Sequence, residues 1–114
     1  MKESEIKIKI SLDENKVPEQ IHWTAEDAGE RDQKSEAVLI SLWDPEQQNS
    51  LRIDLWTKEM KVDEMKTFFH QTLTAMSDTF ERATGDEKMA DDMRRFCQYF
   101  AEELNLIKDV KKES

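Results

Sequence analysis

The sequence predicts an α+β domain. Its four-stranded antiparallel sheet is made of two β-hairpins, and a C-terminal αα-hairpin packs on one face, in the order ββββαα. Three observations carry this prediction. Charged and apolar residues alternate strictly near the N-terminus. Two apolar runs flank the turn sequence "DPEQQN". Two stripes with helical spacing fill the C-terminal half and are split at Gly85.

The first strand is Glu5 to Leu12. Ile6, Ile8, Ile10 and Leu12 take one face, and Glu5, Lys7, Lys9 and Ser11 take the other. "DENK" supplies turn residues. Val17, Ile21 and Trp23 then resume the same parity. Placing Leu12 opposite Val17 puts Ile8 opposite Ile21 and Ile6 opposite Trp23, with all the large apolar groups on one side. Residues 26–36, "EDAGERDQKSE", are polar throughout and read as a loop. Their acidic density lacks the D-x-[DN]-x-[DN]-G pattern of a calcium loop.

The third strand, Ala37 to Trp43, is apolar on both faces, as a central or partly covered strand would be. The fourth strand runs from Ser50 to Thr57. Setting Leu42 opposite Leu51 pairs Ile40 with Ile53 and Val38 with Leu55 on the core face. The other face then carries Leu39, Ser41 and Trp43 beside Arg52, Asp54 and Trp56.

Asp63 is a suitable N-cap for the first helix, because its carboxylate accepts from free backbone N–H groups. Met65, Phe69, Leu73, Met76, Phe80 and Ala83 form its apolar stripe, widened by Phe68. Gly85 fits the residue just past the end. Thr84 and Glu87 have the spacing of a capping box for the second helix. There Met89, Met93, Phe96, Phe100, Leu104 and Ile107 make a second stripe, and residues 108–114 read as a frayed tail. The 114 residues suit a single domain, 1–114.

Composition narrows the function classes. Charged residues make up 38% and apolar residues 37%, a balance that is disordered when scattered but amphipathic when periodic, as here. A net charge of −9 opposes nucleic acid and anionic membrane surfaces. The opening "MKESEIKIKI" has no apolar h-region, and no apolar run reaches the roughly 20 residues that span a bilayer. The expectation is a cytoplasmic protein without an integral membrane segment.

No motif for catalysis emerges. Cys97 is the only cysteine and sits at the edge of the second helical stripe, where a buried structural thiol is expected. His70 lies at the edge of the first stripe without a second histidine four residues on, and His22 lies on a polar strand face. Neither belongs to a metal-ligand spacing, so no metal and no cofactor are expected. With glycine only at positions 29 and 85, there is no phosphate-cradling loop. Four of the six methionines, Met65, Met76, Met89 and Met93, fall on the stripes and read as core packing. The outward hairpin face stands out. Leu39, Trp43, Arg52, Asp54 and Trp56 form the candidate interaction surface, since tryptophan and arginine are enriched where proteins meet.

The stretch "SLWDPEQQNSLRIDLWTKEMKVDEMKTFFHQTLTAMSDTFERATGDEKMADDMRRFCQYFAEELNL" resembles the gliding-motility-associated GldC family, as does the opening "SEIKIKISLDENKVPEQIHW". The blocks "LWT", "KEM", "VDEMK", "FFHQTL" and "DTFERAT" carry the resemblance, and the 26–36 linker is its least diagnostic part. The resemblance implies a process: a small cytoplasmic accessory factor for gliding, a motility linked to envelope machinery and a dedicated secretion system. It transfers no catalytic residue. The expected partners are proteins, from the gliding or secretion machinery or a second copy of the chain. An export chaperone or adaptor is the alternative, because an acidic chain with four strands followed by two helices resembles SecB-type chaperones at the level of fold. A small enzyme is the weakest reading, since it needs a polar pocket with convergent acid and base groups.

Overall fold

The computed structural model describes residues 2–106. It contains β1 (Lys7–Leu12), β2 (Pro18–Ala25), β3 (Glu30–Ser35), β4 (Ala37–Asp44), β5 (Asn49–Trp56), α1 (Val62–Thr84) and α2 (Glu87–Glu103). The chain divides after Lys61 into two compact units, one holding the strands and the other the helices.

The α+β class and the two C-terminal helices are as expected. The single four-stranded sheet is not. The strands form a three-stranded sheet of order β1-β2-β3 and a two-stranded ribbon, β4-β5. The extra strand is β3, which lies inside the segment expected to be a polar loop. A single 3-10 turn, Glu26–Ala28, reverses the chain after β2, and Gly29 closes it at φ 76°, a left-handed conformation that suits glycine. β3 has the sequence "ERDQKS", with every side chain exposed or half-buried. It has no apolar alternation because its backbone, bonded to β2, makes it a strand. Near the turn this ladder is irregular: Asp32 takes φ 47°, and its N–H donates to the Thr24 hydroxyl at 3.0 Å.

The β1–β2 register differs from the expected one by one two-residue step. Ile8 faces Trp23 and Ile10 faces Ile21. Such a step keeps every side chain on its face. The turn sets the register. The Asp13 N–H donates to the Val17 carbonyl at 2.9 Å, and Lys16 supplies a left-handed residue at φ 64°. The Asp13 carboxylate accepts from the N–H groups of Asn15 and Val17 at 2.8 and 2.9 Å. A bulge between Ser11 and Leu12 absorbs the remainder.

The β4–β5 register is the expected one: Val38 faces Leu55, Ile40 faces Ile53 and Leu42 faces Leu51. Asp44 organises the loop, accepting from the Glu46 N–H at 3.0 Å and, through its carbonyl, from the Gln48 N–H at 2.9 Å. Only Glu36 separates β3 from β4, and its carbonyl accepts from the Thr57 N–H at 2.9 Å. Lys58 pairs with Asp13, tying the segment after the ribbon to the first turn.

In the helical unit both caps differ from expectation. Asp63 is not the N-cap of α1. It lies within the first turn, where its charge still favours the helix N-terminus. Thr84 does not cap α2: its hydroxyl donates to the Phe80 carbonyl at 2.8 Å and accepts from the Asp86 N–H at 3.1 Å, not from Glu87. Asp86 is the cap, accepting from the Met89 N–H at 2.9 Å. Gly85 ends α1 as expected, at φ 75° with its N–H on the Glu81 carbonyl. α2 ends earlier than its stripe suggests. Asn105 turns left-handed at φ 57°, and the Leu106 N–H reaches back to the Ala101 carbonyl at 2.8 Å, a Schellman closure. Ile107 and the tail 108–114 lie outside the described residues.

The helices meet through small residues. Ser77, Ala90, Cys97 and Ala101 are buried. Arg94 of α2 grips Asp78 and Glu81 of α1 at 2.9 and 2.7 Å, and Asp91 of its own helix at 2.8 Å. These three carboxylates, Glu81 foremost, push the guanidinium further above its ordinary range. The expected core methionines divide. Met65 and Met93 are half-buried, whereas Met76 and Met89 stand exposed.

Candidate interaction surface

The ribbon puts the five candidate residues on one face, as the register required. Ala37 faces Trp56, Leu39 faces Asp54, Ser41 faces Arg52 and Trp43 faces Ser50. Trp43 is 61% exposed and Trp56 54%, while Leu39 is half-buried. The two tryptophans do not form one cluster. They stand at opposite ends of the face, about 20 Å apart at the usual rise along a strand. Between them Arg52 donates to Asp54 at 2.7 Å, a pair that lifts the arginine's already high pKa. Its side chains are 48% and 42% exposed, so it orients the two groups more than it stabilises the fold.

The opposite face is also open. Leu42 is 54% exposed, Leu51 51% and Ile53 47%, although all three belong to the expected core pairs. No residue of β4 or β5 is buried. β5 is the more open strand: only Leu55 is half-buried, whereas β4 is half-buried from Ala37 to Ile40.

Sequence reasoning missed the edge of β5. Because the Thr57 N–H bonds to Glu36 directly opposite, the hydrogen-bonded pairs run through the odd-numbered residues of β5. The N–H and C=O groups of Ser50, Arg52, Asp54 and Trp56 therefore point off the free edge. Edges of this kind are normally blunted by proline, lysine or a bulge. "NSLRIDLW" contains no proline or lysine, and its ladder with β4 runs without a register shift.

The buried Cys97 thiol lies 3.8 Å from the Ser77 hydroxyl. His70 stacks on Phe100 with ring centroids 6.2 Å apart. His22 sits between Lys9 and Lys34 across the three-stranded sheet. Among the described residues, no three His, Cys, Asp and Glu side chains gather where a metal ion could be held. An apolar groove of about 280 Å³ runs between the helices, lined by Leu73, Ser77, Met89, Asp92, Met93, Phe96 and Cys97. Asp92 is its only charged group and is itself paired with Arg95. Among the described residues no helix is long and apolar enough to cross a membrane.

No curated protein and no solved structure matches the chain. The family model described as gliding motility-associated protein GldC-like matches residues 18–106. The match begins with β2 and ends where α2 is closed off by Asn105 and Leu106, so it covers the ribbon and both helices. The chain belongs to the GldC-like family of gliding motility-associated proteins.

Proposed function

We propose that this protein is a cytoplasmic accessory factor of gliding motility that acts by holding other proteins and not by catalysis. The observation that supports this most is the ribbon: two exposed tryptophans on a strand pair with no buried residue. Large exposed apolar surfaces on soluble proteins mark contact sites. The partners under this reading belong to the gliding or secretion machinery. The test is complementation of a deletion strain, with colony spreading as the readout. The Trp43→Ser/Trp56→Ser variant should be present at the wild-type level, keep its fold and fail to restore spreading. Full spreading with that variant would sink the reading.

A second reading, an export chaperone or adaptor, is favoured by the exposed Phe69, Met76, Met89 and Phe96 of the helical unit. Methionines on an open surface suit varied apolar clients. Under this reading the protein suppresses aggregation of an unfolded client, and Met76→Gln with Met89→Gln weakens that effect. A protein that leaves client aggregation unchanged excludes it.

A further inference from the structure

We propose that the free edge of β5 pairs antiparallel with the same edge of a second copy of this chain, about a two-fold axis through Ile53. The edge carries the backbone groups of Ser50, Arg52, Asp54 and Trp56, which are unused among the described residues, so a copy can bond only in registers that set even residues opposite even residues. Charge then selects among these registers. With Ile53 opposite itself, Arg52 faces Asp54 of the second copy, and Asp54 faces its Arg52. Leu51 faces Leu55 on the other side of the sheet. Sliding one two-residue step either way sets Arg52 opposite Arg52 or Asp54 opposite Asp54, and like charges directly opposite oppose pairing. "LRIDL" is thus self-complementary in both apolar pattern and charge when read against its own reverse.

Two further observations fit a second copy. The ribbon has only two strands bonded to each other, whereas β4-β5-β5-β4 is a four-stranded sheet, and sheets gain stability with added strands. The same register also sets Trp56 of the second copy opposite Ser50, the residue that faces Trp43. The two tryptophans, far apart in one chain, then flank a serine in one cross-strand row, twice per dimer. The chain's net charge of −9 opposes most modes of self-association, but β5 itself is neutral, with one arginine and one aspartate.

The experiment is native mass spectrometry with light scattering over a concentration series. The wild type should reach twice the 13.5 kDa chain mass. Arg52→Asp alone and Asp54→Arg alone should each weaken the dimer by tenfold or more. Mixed in equal amounts, these two variants should form a heterodimer, because every facing pair is then opposite in sign. Ile53→Cys should give a disulfide-linked dimer under mild oxidation, since the central pair is a close, non-hydrogen-bonded one. A wild type that stays monomeric at millimolar concentration overturns the proposal. So does a dimer that tolerates both single charge reversals and gives no cross-link at position 53. The measurement does not involve motility, so its failure leaves the accessory role standing, and a failed complementation test leaves the dimer standing.

Discussion

β2 and β5 have the same length, eight residues, and opposite surroundings. β2, "PEQIHWTA", is the more polar strand, yet it buries Ile21 completely and Ala25 nearly so. β5, "NSLRIDLW", is richer in large apolar groups and buries none of them. β2 lies between β1 and β3, whereas among the described residues β5 has a neighbouring strand on one side only. Within one chain, the more polar strand is the one that buries a large apolar side chain, so composition alone does not decide burial here. The apolar groups that β5 leaves uncovered are what a contact surface needs.

Substitutions in the two strands should differ in cost. Ile21→Ala should carry the largest effect, destabilising the fold by about 3 kcal/mol in a denaturant titration, because it leaves a cavity at a fully buried site. Ile53→Ala, at a site 47% exposed, should cost under about 1 kcal/mol in dilute solution. Equal costs at the two positions would mean that β5 is core after all.

Thr57, just past the ribbon, gives a smaller effect of opposite sign. Its side chain is buried, and among the described residues its hydroxyl has no hydrogen-bond partner. Thr57→Val removes an unsatisfied polar group while keeping the shape, and should stabilise by up to about 1 kcal/mol. A clear loss of stability would show that the hydroxyl is bonded.

The smallest effect concerns the tie between the ribbon's exit and the first turn. The Lys58 ammonium, then the Val17 N–H, hold the Asp13 carboxyl below its ordinary 3.8. Asp13 in turn holds Lys58 above its ordinary 10.5. A depressed carboxyl adds stability that is present above its unfolded pKa and lost as pH falls through the folded value. A raised lysine adds stability that is present below its unfolded pKa and lost as pH rises through the folded value. The Asp13→Asn variant should therefore melt slightly below the wild type between about pH 4 and pH 10, with the gap closing outside that window. A gap that does not vary with pH would assign the effect to the turn alone.

Most of the architecture was legible in the sequence where side-chain period carries the signal. The ribbon register follows from the apolar pairs of "AVLISLW" and "LRIDLW", and both helices follow from their stripes. β3 was not legible, because a strand held by backbone bonds with both faces wet shows no period. The β1–β2 register was legible in face but not in step, since a two-residue slide preserves the pattern and only the Asp13 turn decides it. α2's early end was hidden because Asn105 looks like an ordinary polar residue until its backbone turns left-handed. For the candidate surface, the residues and their shared face were legible. The separation of Trp43 and Trp56 was implicit in the register, because Trp43 faces Ser50 and six steps along β5 lead from Ser50 to Trp56. The free edge of β5 was not legible, because side-chain patterns say nothing of which backbone groups lack partners.

Whether β5 keeps one edge for a second chain can be read by amide hydrogen exchange, resolved by residue and followed over a dilution series. Leu51, Ile53 and Leu55 bond inward to β4, so their amides should be protected at every concentration. Arg52, Asp54 and Trp56 point off the edge, so their amides should be protected in concentrated solution and exchange rapidly on dilution. Rapid exchange of these three at all concentrations would contradict the account.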